Sequence, residues 1–282
     1  MLFKKLAGLL FLLLLIHSCT SAPSKKSIRT GPSYEQYMSQ VKRIGIISDV
    51  CIARDAVGTE DYFSIEDSKT ARAFMSDAAK KYLEGKGYQI DFQFSPFVCA
   101  FKEPDKVFKV AESKGKDVTD MSPPFFADDS LKDDEKYKQQ LVRVIRQIQN
   151  SIAQLNKPHS ETFLFEKDMQ ENLKEISERT SIEVILFLIG DGIIVPRGKS
   201  FAKGLPGAIL LPLALPIYLT FDYSNVHSYA VMINVKNGDM LWSNSFLDYD
   251  INPVNQDYYY KEWSRKMFYY LHNNKEDRGV RY

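Results

Sequence analysis

The chain has 282 residues, of which 44% are hydrophobic and 26% are charged, with 37 basic side chains against 36 acidic ones. This near-balance gives no electrostatic case for binding nucleic acid, which needs a concentrated basic surface. The length and the apolar content are sufficient for one large domain or two small ones.

The first residues have the order of an export signal. Two lysines precede an uninterrupted apolar run over residues 6–16, and His17-Ser18-Cys19 follows it. An export signal needs a cationic start, a short apolar segment and a small residue before the cleavage site. The 11 apolar residues are too few for a permanent membrane span, which needs roughly 20. We therefore expect residues 1–18 to be a signal peptide that is removed.

The residues around Cys19 resemble the lipobox of bacterial lipoproteins, in which an aliphatic residue and two small residues precede a cysteine that receives diacylglycerol. Ile16, Ser18 and Cys19 fit, whereas His17 is bulkier than usual. The resemblance implies lipidation of Cys19, and several acyl chains together anchor a protein durably. In such lipoproteins a non-acidic next residue, here Thr20, goes with sorting to the outer membrane. We expect a lipid-anchored outer-membrane protein facing the periplasm; the alternative is an ordinary secretory signal with an incidental cysteine.

The stretch after Cys19 is rich in Ser, Lys, Pro, Gly and Thr and almost free of apolar residues as far as Pro32. Such a composition is typical of a flexible linker. We assign residues 19–36 to a lipidated tether and residues 37–282 to a single α/β domain.

Three segments of the N-terminal half predict a strand, a helix and a second strand. Residues 43–51 are β-branched and continuously apolar at their start, as in a strand covered on both faces. Residues 64–67 nearly match a helix capping box, and an apolar stripe at helical spacing follows until Gly85 and Gly87. Residues 88–101 alternate like a strand. This order predicts a right-handed parallel crossover.

Two cysteines remain after Cys19. Cys51 and Cys99 each fall near the C-terminal end of a predicted strand. An even pair in an oxidising compartment can form a disulfide. The sequence leaves open whether they are bonded or are two separately buried thiols.

The middle of the chain predicts a long loop and a helical hairpin. Residues 103–129 are charged and contain Pro123-Pro124, which predicts a long ordered loop or a partly mobile insertion. Apolar residues at helical spacing then predict helices at about 141–155 and 165–179 that pack against the sheet. We treat residues 103–180 as an insertion into the domain.

The strongest predicted strand covers residues 182–189 and should lie at the centre of the sheet. We interpret Gly190-Asp191-Gly192 as a turn at its end, because a Gly-x-Gly without further glycines is a weak phosphate motif. Asp191 could still lie at a carboxyl edge, where open α/β sheets bind ligands.

The C-terminal part predicts a hairpin and a helix. Asn237-Gly238 between the alternating segments 228–235 and 239–246 is a strong hairpin signal, because both turn positions need positive φ. A helix with an aromatic face follows over about 254–273.

Residues 198–219 form an apolar segment between two predicted strands. Pro206, Pro212 and Pro216 exclude a regular helix. An exposed apolar segment of this size marks a contact surface for a partner, another copy or lipid, whereas the alternative is that it folds back over one end of the sheet. The candidate contact residues are Leu205, Ile209, Leu211, Leu213, Leu215 and Ile217.

No catalytic motif stands out in the sequence. His159, His227 and His272 lie in unrelated predicted elements, without the spacing of metal ligands. The sequence has no Gly-x-Ser-x-Gly elbow, Walker loop or His-Glu-x-x-His helix. We therefore expect no metal, no cofactor and no enzymatic activity.

The strand ending in Gly190-Asp191-Gly192, together with the hairpin over residues 229–243, resembles a superfamily of periplasmic lipoproteins. Its members include the curli-secretion channel lipoprotein, the penicillin-binding-protein activator lipoproteins and the GNA-type lipoproteins of unknown function. The resemblance covers roughly residues 40–101 and 181–275. It implies a mixed α/β sheet sandwiched by helices, similar to the N-terminal domain of TolB, and a role as scaffold, activator or secretion component.

Three functional hypotheses follow. The first is a non-enzymatic envelope lipoprotein that binds other envelope proteins or itself. The second is a small-ligand binder or enzyme at the sheet edge near Asp191. The third is a self-assembled secretion ring, although residues 205–219 lack the alternation that a barrel strand requires.

Overall fold

The computed structural model describes residues 28–31, 34–55, 61–155, 167–196, 224–269 and 271. Over these residues the protein has a mixed α/β fold, with one large mixed sheet and a separate two-stranded sheet. The strands are β1 (Arg29–Thr30), β2 (Arg43–Arg54), β3 (Tyr62–Ser64), β4 (Gln89–Phe94), β5 (Phe97–Val98), β6 (Phe108–Ala111), β7 (Val118–Met121), β8 (Phe126–Ala127), β9 (Val184–Ile194), β10 (Asn225–Asn234) and β11 (Asp239–Tyr249).

Helices cover both faces of the large sheet, and the described part contains no helix of the length and apolarity that a membrane crossing needs. The helices are α1 (Tyr34–Met38), α2 (Ile65–Gly85), a 3-10 turn (Asp129–Leu131), α3 (Glu135–Leu155), α4 (Lys167–Thr180), and a C-terminal helix made of an α segment (Gln256–Tyr258), a π segment (Tyr259–Trp263) and a second α segment (Ser264–Phe268).

The large sheet has the strand order β1-β11-β10-β9-β2-β3-β6-β7, and β4 pairs with β2 beside this path. β2 and β9 run parallel, and β10 runs antiparallel to both β9 and β11. β2 and β4 are also parallel, as the predicted strand-helix-strand order requires. β9 lies between β2 and β10 in the interior of the sheet, which confirms its predicted central position.

Alternation along the strands divides the core into two layers, because successive side chains of a strand point to opposite faces. Ile47 of β2 and Phe187 of β9 pack on one face with Leu141 of α3. Ile46 of β2 and Leu186 of β9 pack on the other face with α2 and the C-terminal helix. Both central strands are covered on both sides, which explains their continuous apolar sequence.

Local sequence signals correctly place several boundaries. The Asp67 N–H donates to Ser64 Oγ at 3.2 Å, so Ser64 caps α2 as predicted. Gly87 has φ of 90° just after this helix, and Gly238 has φ of 77° in the turn between β10 and β11. Glycine adopts these conformations without the steric cost that a Cβ would add.

Several predicted segments differ from the structure. The predicted tether over residues 19–36 is too long, because β1 pairs with β11 and α1 begins at Tyr34. The predicted strand over residues 88–101 is interrupted at Ser95-Pro96, since proline cannot donate a ladder hydrogen bond. The predicted loop over residues 103–129 is wrong, because β6 and β7 lie within it and extend the large sheet beyond β3. Phe108 and Phe125 of this region pack against Phe63, at ring-centroid distances of 5.3 Å and 5.5 Å.

Candidate functional site

The sequence Gly190-Asp191-Gly192 lies inside β9 and not in a turn, so the predicted turn is wrong. Asp191 pairs with Cys51 of β2 on one side and with His227 of β10 on the other. A Cβ at Gly192 would lie 2.6 Å from the carbonyl oxygen of Asn225. The glycine is therefore required by the close approach of the neighbouring strand.

Asp191 is at the carboxyl end of β9, the position that the sequence suggested for a ligand edge. Its side chain is 40% exposed, and its Oδ2 accepts a hydrogen bond from Lys102 Nζ at 2.8 Å. The Lys102 ammonium also lies over the rings of Phe63 and Phe101, at 5.4 Å and 5.1 Å from their centroids. The carboxylate and the ammonium thus neutralise each other beside an aromatic surface.

His227 and Tyr229 follow on the same face of β10, two residues apart. The Tyr229 hydroxyl and His227 Nδ1 are 2.7 Å apart. Burial lowers the pKa of His227, although the charge of Asp191 opposes this shift. Burial, and then the charge of Asp191, raise the pKa of Tyr229 to about 12. Both side chains are therefore neutral at pH 7 and form a polar pair next to the carboxylate.

Asp49 is a second carboxylate on this face, deep under the chain that follows β5. It is 1% exposed, and its Oδ2 accepts the Phe101 N–H at 3.1 Å, while its Oδ1 has no hydrogen-bond partner among the described residues. Burial raises the pKa of Asp49 to about 7, against the lowering effects of the N–H groups of residues 99–101 and of the Arg72 charge. Asp49 therefore changes its charge near neutral pH.

Residues 97–101, which we name the strap, cover Asp49 and are fixed at several points. Of the two alternatives left open by the sequence for the cysteines, the structure has the disulfide, with Sγ atoms 2.12 Å apart. Arg72 donates to the carbonyl of Phe97, and Arg146 Nε donates to that of Ala100 at 2.8 Å. Cys99 has φ of 62°, in the left-handed region, and these contacts hold it there.

A cavity of about 430 Å³ lies at the opposite end of β9. Tyr37, Arg43 and Glu183 are among the residues that line it. It does not coincide with Asp191, which lies near the carboxyl end of the same strand. The cavity therefore adds nothing to the case for a ligand site at Asp191.

The structure brings together only part of the predicted site. Asp191, Cys51 and Cys99 are described, whereas Cys19 and the residues of the apolar segment fall on parts of the chain that are not. Within the described ranges, no group of three or more His, Cys, Asp and Glu side chains could hold a metal ion. The contact residues outside the described ranges are Leu205, Ile209, Leu211, Leu213, Leu215 and Ile217.

His227 and Lys102 are the neighbours of Asp191 that the sequence interpretation missed. The pairing of Asp191 with His227 depends on the register between β9 and β10, which are joined by a long connection and not by a tight turn. Lys102 is 89 residues away from Asp191 along the chain. No local pattern in the sequence encodes either contact.

Comparisons with known proteins identify no family for the chain. No family model matches it, and no curated protein matches it. Among solved structures it is similar to the dodecamer of a single-residue PelC variant from Paraburkholderia phytofirmans, with 9% sequence identity, 79% of each chain covered and a TM-score of 0.25. A likeness this low carries no argument about function.

Proposed function

We propose that the protein is an exported lipoprotein, anchored by lipid on Cys19, whose body works in the bacterial periplasm by binding other envelope components. One observation carries the proposal of export. The Cys51–Cys99 disulfide joins β2 to the strap, with both cysteines fully buried. Structural disulfides form and persist in oxidising compartments such as the periplasm. This agrees with the export signal over residues 1–18 and with the lipobox at Cys19.

The proposed binding role is supported by how the polar groups of the candidate site are paired. Lys102 neutralises Asp191, and Tyr229 is paired with a neutral His227. Asp49 is covered by the strap. General acid–base catalysis needs a free group that can reach the substrate, and these pairings disfavour that role for the candidate site.

Cell fractionation tests the anchor. The unchanged protein should sediment with outer membranes, and Cys19→Ala should lower the membrane-bound share strongly without changing the urea unfolding of the body. Thr20→Ala is a matched control that keeps the cysteine and a non-acidic neighbour, so its distribution should equal that of the unchanged protein. If the membrane-bound share of the Cys19→Ala protein equals that of the unchanged protein, the proposal is contradicted.

Cross-linking in intact cells tests the binding role. Leu211→Asp combined with Leu215→Asp should abolish a cross-linked complex while the unfolding midpoint stays unchanged. Sedimentation of the mature body over a range of concentrations then separates a partner from self-assembly, because only self-assembly gives a discrete oligomer of the isolated protein. Loss of the fold in the double variant would show that these residues are internal and would remove them as a contact surface.

A small-ligand site at the carboxyl end of β9 is the second candidate function. It is favoured by the arrangement of Asp191, Lys102 and His227 around one half-exposed carboxylate. An open α/β sheet binds ligands at such an edge. An Asp191→Ala protein that keeps its stability but loses binding of a small molecule would support this second function. If the same protein still binds every tested envelope partner, the small-ligand site is separate from the proposed binding of envelope components.

A further inference from the structure

The described body begins with β1, at the outer edge of the sheet. β1 pairs antiparallel with β11, with Arg29 opposite Ser243 and Thr30 opposite Trp242. Going back along the chain from Thr30 to Ile28 therefore leads toward higher numbers in β11, and so toward Tyr249. The first described residues therefore lie at the outer edge of the sheet beside the middle of β11, and Tyr249 lies six residues beyond Ser243, about 20 Å along the strand.

The connection between β9 and β10 leaves the sheet at the Tyr249 end of β11. Ser224 Oγ accepts the Val195 N–H at 2.9 Å, so the two ends of the connection are in contact. Asn225, the first residue of β10, lies opposite Tyr249 of β11 and opposite Ile193 of β9. The apolar sequence 198–219 is therefore joined to the body at the end of the sheet where Tyr249 lies.

Two large apolar side chains are exposed at this end. Leu247 is 38% exposed and Tyr249 is 63% exposed, and both belong to β11. They are two residues apart in a strand and so share one face of the sheet. We name this surface, formed by Leu247 and Tyr249, the β11 end. Of the exposed large hydrophobic residues in the described chain, the other two are Val107 and Val118, next to and within the strands β6 and β7 near the opposite edge.

We propose that the β11 end contacts the lipid bilayer and fixes the orientation of the body on the membrane. This inference rests on the proposed lipid anchor at Cys19. Eight residues lie between Cys19 and Ile28, so this part of the tether reaches at most about 30 Å even when fully extended. This length exceeds the distance of about 20 Å along β11 between Ser243 and Tyr249, so the anchor keeps the bilayer within reach of the β11 end in every copy, which favours the bilayer as its occupant.

The chemistry of the β11 end suits the interfacial region of a bilayer. Tyrosine has an apolar ring and a polar hydroxyl and is enriched at membrane–water interfaces, and leucine adds apolar area. Asp248 points to the other face, where it accepts hydrogen bonds from Tyr258 at 2.7 Å and from Lys266 at 2.9 Å. Its charge is therefore compensated within the protein. We expect zwitterionic lipid to be sufficient for the contact.

Quenching of tryptophan fluorescence by brominated lipid tests the inference in the lipidated mature protein. Tyr249→Trp introduces the probe into the β11 end, and Val118→Trp introduces a matched probe at a residue that is 45% exposed in β7. β7 is six places from β11 in the strand order, about 29 Å away at the usual strand spacing. Trp242 and Trp263 are fully buried, and their background fluorescence is measured in the unchanged protein and subtracted.

In vesicles of phosphatidylcholine brominated on its acyl chains, the added fluorescence of Tyr249→Trp should fall by about half, since interfacial groups sit about 5–10 Å into the headgroup region. That of Val118→Trp should stay unchanged. Flotation of the same samples reports the anchor separately: protein that does not float overturns the anchor and this inference with it. Protein that floats while the probe at residue 249 is unquenched overturns this inference alone. A probe at residue 249 that is shielded from aqueous iodide but unquenched by lipid identifies a protein occupant and also overturns it.

Discussion

Removal of the Cys51–Cys99 disulfide should cost the protein about 4 kcal/mol of unfolding free energy. The bond closes a loop with a sequence separation of 48 residues. Loop-closure entropy for a loop of that length corresponds to about 4 kcal/mol at 25 °C. Because both cysteines are fully buried, the double variant Cys51→Ala and Cys99→Ala leaves no polar group unsatisfied in the core.

Urea unfolding of the oxidised protein, of the reduced protein and of the double alanine variant measures this cost. The reduced protein serves as the control, because it keeps both sulfur atoms and lacks only the bond. The reduced protein and the double alanine variant should both unfold at a clearly lower urea concentration than the oxidised protein. If the unfolding free energy of the reduced protein and of the double variant falls by less than about 1 kcal/mol, the bond does not stabilise the protein by restricting the unfolded chain.

Three further substitutions test the candidate site and the sheet beneath it. Burial raises the pKa of Asp49 from 3.8 to about 7, so the folded state binds more protons than the unfolded state between these pH values, and this group's contribution to stability falls as the pH rises through that window. Asp49→Asn should remove this fall, roughly 4 kcal/mol, in urea titrations at pH 4 and pH 8; an unchanged pH dependence would contradict it. Gly192→Ala should destabilise by about 1–3 kcal/mol because its Cβ would meet the backbone oxygen of Asn225. Gly190→Ala should cost less, since the nearest atom is the flexible end of Met75; the reverse order in thermal unfolding would refute this.

The elements that could be predicted from the sequence are those set by local patterns. The continuous apolar run of β9, the capping serine of α2 and the Asn237-Gly238 turn each depend on residues close together in the chain. The sequence does not indicate β6 and β7, because each has only four residues and lies within a charged stretch. They form where Lys109 pairs with Asp120 across the strands, at 3.0 Å.

The candidate site was predictable only as the position of one residue. Asp191 follows a strong apolar strand, which indicates a strand end, but the strand continues because Gly190 and Gly192 permit close packing with β2 and β10. The contacts with Lys102 and His227 arise from tertiary register. Register between strands that are distant in sequence has no local signature, so the sequence alone does not predict that these two residues lie beside Asp191.

The most direct test of the proposed export and anchoring is the intact mass of the protein extracted from bacterial membranes. We expect a chain that begins at Cys19, carries the added mass of several acyl groups, and is two hydrogen atoms lighter because of the disulfide. A chain that retains residues 1–18, or one that begins at residue 19 without acyl mass, would contradict the lipid anchor.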